Sequence, residues 1–291
     1  MSSMVDLTNA SLDIKKNTIL EDVTLQLETG RIYGLIGQEG AGKTSLLSLI
    51  ASYRKPTKGA VQIDGRDPYE DKALMAKVRF VHEVDYTETH HTPKYLSRVT
   101  ERYRPAFDSD YALTMLEGLG IDSDKALNRM SKGQQAAVNA IFGLAANAPI
   151  TIFDEVTNIM EATLREQFYK MAIEANAHYP RTMIFSNHTV SGMDHLFDEI
   201  IILDESRVIL QEPIDRFLER GFRVSGAKEK VVRFTDGMNV LSTHASGSIH
   251  SVVVLGSVDE ADRKTAKEQH LYIEPLKVQE LFTILTATKE G

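Results

Sequence analysis

The sequence predicts an α/β fold built on a largely parallel, helix-flanked sheet, and three observations carry that reading. Largely apolar runs at 150–153, 182–186 and 200–203 have the length and composition of buried strands. Helical stretches separate them, as crossovers between parallel strands require. Gly37-Gln38-Glu39-Gly40-Ala41-Gly42-Lys43-Thr44 fits G-x-x-x-x-G-K-[ST] without a mismatch, between an apolar strand at 31–36 and a helix at 45–51 that opens on Ser45.

Taken in order, the chain begins with alternation. In 23–28 every second residue is apolar, the pattern of a half-buried antiparallel strand, and 60–65 and 77–81 read as further strands. A helix-rich middle runs from about Pro93 to Ala148, within a helical subdomain expected at about 88–148. The three buried strands follow. Composition shifts near Gly221, and beyond it strands at 230–234 and 251–255 with two short helical segments suffice for a small α+β appendage. The expected domains are therefore 1–220 and 221–291.

Composition narrows the functional classes. A formal net charge of −8 and a pI near 5.6 give no basic footprint, so a nucleic-acid partner is not expected. No apolar run reaches the roughly 18 to 20 residues that span a bilayer. The first residues lack a basic region followed by an apolar core, so no secretion signal is expected. Cysteine is absent, which excludes disulfides and thiolate metal sites and fits a cytoplasmic address.

The loop at 37–44 calls for a nucleoside triphosphate. Its glycines let backbone N–H groups turn inward around phosphates, Lys43 offers a point charge, and the Thr44 hydroxyl can meet Mg2+. The strand at 150–153 ends in Asp154-Glu155: the first acid is placed to hold Mg2+, the second to polarise an attacking water. Upstream, Ser131-Lys132-Gly133-Gln134 opens a helix whose start, capped by Ser131, can face an anion. His188 follows the strand at 182–186, where a group sensing the γ-phosphate is expected. The pair His90-His91 lies in a polar loop with no third ligand in view and reads as solvated, not as a metal site.

Together these motifs resemble the nucleotide-binding subunit of an ATP-binding-cassette (ABC) transporter over residues 4–220. The resemblance implies a P-loop NTPase core with an N-terminal antiparallel β-subdomain, a helical signature subdomain and the α+β appendage. It implies ATP and Mg2+ as ligands, with Gly37 through Ser45 around the phosphates. Ser131, Lys132, Gly133 and Gln134 become the signature that completes a second subunit's site. Lys43, Glu155 and His188 become the catalytic groups, and Thr44, Glu83 and Asp154 the metal-facing ones. It further implies a second ATPase subunit, identical or not, and a membrane permease that holds the protein at the inner face of the membrane. The appendage and Lys132 are similar to ATPases of small Gram-positive exporters, such as those of acetoin utilisation or phenol-soluble-modulin export.

Four positions depart from the family pattern. Lys132 replaces the first glycine of L-S-G-G-Q, Glu83 the glutamine of the Q-loop, Glu161 the aspartate of the D-loop, and Ile14 the aromatic that stacks on adenine. An active but slow ATPase with weak base stacking is expected. A GTPase lacks support, because no N-K-x-D motif is present. Lys43 and Asp154 are too close for the long coiled coil of a chromosome-maintenance ATPase, and a translation-factor ATPase would carry two cassettes. The rival reading is a regulatory protein that dimerises on nucleotide without driving transport.

Overall fold

Two long strands, β1 (Ser3–Ile14) and β2 (Asn17–Glu28), open the chain as an antiparallel pair. In β2 the alternation buries Leu20, Val23, Leu25 and Leu27 and leaves their neighbours outside, so one face of the pair must be covered. The computed structural model describes residues 3–189 and 192–287, and contacts divide the chain into Met1–Gln211 and Glu212–Gly291.

In the first unit the chain continues through β3 (Ile32–Ile36), α1 (Lys43–Ile50), β4 (Lys58–Ile63), α2 (Lys72–Met75) and β5 (Val78–Val81). Three helices form the middle: α3 (Pro93–Tyr103), α4 (Ser109–Gly118) and α5 (Lys132–Ala145). Then come β6 (Ile150–Asp154), α6 (Ala162–His178), β7 (Thr182–Asn187), β8 (Glu199–Asp204) and β9 (Arg207–Pro213). β4 joins β1 to complete a three-stranded antiparallel sheet in the order β2-β1-β4.

The main sheet has the order β5-β6-β7-β3-β8-β9, and β5 through β8 pair in parallel. β3, β6 and β7 are buried along their whole length, which explains their largely apolar sequences. Their register sets Asp154 beside Ser186 and Ile36 beside Asn187. The carboxyl ends of three adjacent strands therefore meet in one place, where open α/β sheets bind ligands. Beneath that edge, Phe153, Phe168, Tyr169 and Phe185 form an aromatic cluster, with the Phe153 and Phe185 rings stacked 4.6 Å apart.

The second unit opens with α7 (Ile214–Leu218). It continues with β10 (Gly221–Ala227), α8 (Lys228–Phe234), β11 (Asn239–Ser246), β12 (Ile249–Leu255), α9 (Glu260–Glu268), β13 (Tyr272–Pro275) and α10 (Val278–Ala287). The sheet is antiparallel throughout in the order β11-β12-β10-β13, a β-α-β-β-α-β unit of ferredoxin-like topology. Phe222, Val224, Val252 and Val254 pack against Val231 and Phe234 of α8 and Ala266 of α9.

Two expectations differ from the structure. Residues 230–234, expected as a strand, lie in α8. The run Val-Val-Arg-Phe is β-prone, but only Val231 and Phe234 are buried, three apart on one helical face, while Val232 is 56% exposed. The domain division falls between Gln211 and Glu212, ahead of the expected 220/221, because α7 packs on α10. Composition could not show that contact.

Candidate active site

The loop between β3 and α1 is shaped by close approach. A Cβ on Gly37 would stand 2.4 Å from the Leu203 carbonyl oxygen, and one on Gly42 would stand 2.9 Å from that of Ile19. Gly42 also has φ +106, in the left-handed region that costs any other residue strain. The loop is thus pressed between the start of β2 and the end of β8. No side chain caps the start of α1 and no acid lies in its first turn, so its leading N–H groups and dipole favour an anion. These features fit a triphosphate.

Lys43 folds back through this loop and is 5% exposed. Its Nζ donates to the carbonyls of Gly37 (3.0 Å) and Gln38 (3.1 Å) and pairs with Glu155 Oε1 at 3.1 Å. Beside it, the Thr44 hydroxyl donates to Asp154 Oδ2 at 2.8 Å, while Ser186 Oγ donates to Asp154 Oδ1. A hydroxyl and a carboxylate in contact form the hard-oxygen pair that suits Mg2+, so Thr44 and Asp154 would hold that ion.

Glu155 is the strained residue of the site, with φ +54. Its N–H donates to both Ser186 Oγ (3.1 Å) and the Ser186 carbonyl (3.3 Å). The Glu155 side chain meets Lys43 on one side, and on the other its Oε2 lies 3.5 Å from His188 Nδ1. His188 Nδ1 is closer to the Asn158 amide nitrogen, at 3.3 Å. The amide can donate to the ring when the proton sits on Nε2, whereas a proton on Nδ1 faces Glu155. Asn158 belongs to the short 3-10 turn Val156–Ile159, held by Tyr169 Oη donating to Thr157 Oγ1 at 3.1 Å. Burial pushes the Tyr169 hydroxyl up to about 12, which keeps it a donor at neutral pH.

The signature residues lie elsewhere on the unit. Ser131 and Gln134 form a capping box at the start of α5: Gln134 N donates to Ser131 Oγ, and Ser131 N donates to Gln134 Oε1. Gly133 lies against the D-loop, where a Cβ would meet the Ile159 carbonyl oxygen at 3.2 Å. Lys132 Nζ reaches back 3.2 Å to Asp85. The Thr87 hydroxyl and N–H, then Lys132, lower the Asp85 carboxyl to about 2. Glu83 is exposed and lines a small cavity with Tyr86, Lys132 and Asn139. Among the described residues no hydrogen bond or ion pair joins residues 131–134 to Lys43, Thr44, Asp154 or Glu155.

The remaining candidates are also placed. Ile14 is half-buried and packs against the core beside the turn between β1 and β2. His91 stacks on Tyr95 at 4.6 Å and His90 Nδ1 contacts the Asn128 amide at 2.9 Å. No group of three or more His, Asp or Glu among the described residues is arranged for a metal ion. Sequence reasoning had not singled out Ser186, Asn158 or Asp85. The first depends on the register of β6 with β7, and the last lies far along the chain from Lys132.

Comparison with known proteins follows this geometry. The family model described as ABC transporter matches residues 20–158. The chain carries an ABC transporter ATP-binding domain. It is 22% identical over 258 residues to the ABC transporter ATP-binding protein YtrB of Bacillus subtilis, covering 88% of each chain. It is 30% identical over 206 residues to the arabinose import ATP-binding protein AraG of Yersinia pestis, covering 65% of this chain and 38% of AraG. The fold resembles the ATP-binding cassette MJ0796, described as dimeric and bound to ADP and Pi after hydrolysis. That match has TM-score 0.61 and 23% identity over 72% of this chain and 99% of MJ0796. A structure of an ABC transporter's ATP-binding subunit gives TM-score 0.65 at 20% identity, covering 74% of this chain and 92% of that one. The ABC domain is an ATPase, and the matches do not favour the regulatory alternative. Among the described residues of this chain, no helix is long and apolar enough to cross a membrane.

Proposed function

We propose that this ABC ATPase works as one of two cassettes beneath a membrane permease, each nucleotide lying between one chain's phosphate loop and the other's signature. One observation supports this most. Lys43, Thr44, Asp154, Glu155 and His188 gather at one end of the sheet, while among the described residues the helix start at Ser131 shares no hydrogen bond or ion pair with them. One chain thus holds two half-sites for the same triphosphate. The dimeric form described for MJ0796 and the transport roles named for YtrB and AraG agree with it.

The contacts suggest an order of events. Lys43 donates to the Gly37 and Gln38 carbonyls and pairs with Glu155. A triphosphate oxygen competes for that ammonium and frees the Glu155 carboxylate. Glu155 then accepts the proton of a water whose oxygen bonds to the γ-phosphorus as the bond to ADP breaks, giving ADP and phosphate. His188, beside Glu155 and Asn158, is the ring placed to donate a proton to the leaving phosphoryl. Ser186 keeps Asp154 and Glu155 in place. Mg2+, when held by Thr44 and Asp154, supplies positive charge to the phosphates. A permease partner sets the location at the inner membrane face.

Glu155→Gln tests the assignment of the base. Its turnover should fall at least about a hundredfold, while MgATP affinity stays within about threefold by calorimetry. Turnover within a few-fold of wild type would remove Glu155 from that role.

A further inference from the structure

The start of a helix is its positive end, so a cation placed there is unfavourable unless an anion offsets it. Among the described residues, α1 opens on Lys43 and α5 on Lys132, each without an acid at the cap or in the first turn. α2 and α8 also open on lysine, but Asp71 caps the first and Glu229 lies in the first turn of the second. Lys43 belongs to the phosphate loop, whose ligand brings the missing negative charge. Lys132 holds the matching place in the other half-site.

The counter-charge of Lys132 comes from outside its helix. Its Nζ lies 3.2 Å from Asp85 Oδ1, an oxygen that also accepts from the Thr87 N–H (3.0 Å) and hydroxyl (2.6 Å). Asp85 is thus anchored by its own loop, whereas the Lys132 ammonium has no other hydrogen bond or ion pair among the described residues. The two side chains are 59% and 76% exposed, so water screens the pair and holds it weakly. Cα–Cβ bonds tilt toward the N-terminus of a helix, so a side chain at the first position leans past the helix start. The lysine is the member of the pair that is free to move.

We propose that Lys132 is a phosphate-contacting residue acting across the dimer: as two chains close on nucleotide, its ammonium leaves Asp85 for an oxygen of the triphosphate on the other chain's phosphate loop. This rests on the composite site proposed above. A triphosphate sets several negative charges against the single one of Asp85, so the exchange is favourable once the chains meet. Asp85 is then a latch that keeps the cation in place until nucleotide arrives. The sign of its effect is diagnostic. Neutralising Asp85 frees the lysine and favours closure, whereas neutralising Lys132 opposes it. A simple tie between the loop at 85–87 and α5 predicts instead that losing either member does the same harm.

Light scattering of the hydrolysis-impaired Glu155→Gln chain, diluted in MgATP, gives the dissociation constant of the dimer. Adding Lys132→Met should raise it at least about tenfold, because each dimer loses two charge-assisted contacts. Adding Asp85→Asn should lower it by about threefold or more, the strength of an exposed ion pair. With Lys132→Met already present, Asp85→Asn should have no effect, since the pair no longer exists. A constant that Lys132→Met leaves unchanged, or that Asp85→Asn fails to lower, would overturn the proposal. If Ser131→Arg still abolishes that dimer, the composite site itself stands. A chain that remains monomeric in MgATP would overturn the composite site and this inference together.

Discussion

Replacing Ser186 with alanine removes one hydroxyl from the centre of the active site. That oxygen is buried, donates to Asp154 Oδ1, and accepts from Glu155 N at 3.1 Å. Asp154 keeps its bond from Thr44, and the Glu155 N–H keeps the Ser186 carbonyl at 3.3 Å. The net loss is thus one charge-assisted bond and one weaker neutral bond, about 2 kcal/mol in all. At a urea m-value of about 2 kcal/mol per molar, the unfolding midpoint should drop by about 1 M. The functional effect comes from Glu155, whose φ of +54 needs restraint. With that restraint weakened, kcat should fall about tenfold or more, while ATP affinity stays within about twofold because Lys43 and Thr44 are untouched. Ser186→Thr restores the oxygen and should recover most of kcat. Urea unfolding followed by circular dichroism, steady-state ATPase assays and calorimetry read these quantities. An unchanged midpoint with unchanged kcat would refute the role given to this hydroxyl. Lost stability with full kcat would refute its positioning of Glu155.

Two further outcomes follow from the site and its flanks. Asp85, lowered to about 2 by Thr87 and Lys132, adds stability that is complete above its ordinary value near 4 and lost as pH falls from about 4 through about 2. Asp85→Asn should therefore be less stable than wild type at pH 7, with the two acid-unfolding curves converging near pH 2, whereas parallel curves would contradict the contact. Ile14→Tyr should tighten MgATP binding by up to about 1 kcal/mol if adenine stacks beside the turn between β1 and β2, and unchanged affinity by calorimetry would place the base elsewhere.

The core was legible because its physics is local. A strand buried on both faces is mostly apolar, so β6, β7 and β8 stand out in the sequence. The phosphate loop needs glycine at positions that the Leu203 and Ile19 carbonyls leave no room to fill. Asp154, Glu155 and His188 were found from their places after buried strands, and the structure brings them to one edge with Lys43 and Thr44. What stayed hidden depends on pairing across the fold. Ser186 acts only because β7 sets it beside Asp154, and Asn158 only because a 3-10 turn carries it to His188. In the appendage, β-prone residues at 230–234 misled because burial at three-residue spacing, not propensity, decided α8. Glu83, expected at the metal, lines the cavity beside Lys132.

Complementation between two crippled chains tests the composite site most directly. Lys43→Ala removes the phosphate-loop charge and Ser131→Arg blocks the signature, so each chain alone should show almost no ATPase activity. In a mixed dimer, the Lys43 of one chain faces the Ser131 of the other, restoring one complete site of two. An equimolar mixture should recover about a quarter of wild-type activity, because half of randomly assorted dimers are mixed. Activity that stays at the level of the separate variants, in a mixture shown to exchange subunits, would contradict a site shared between two chains.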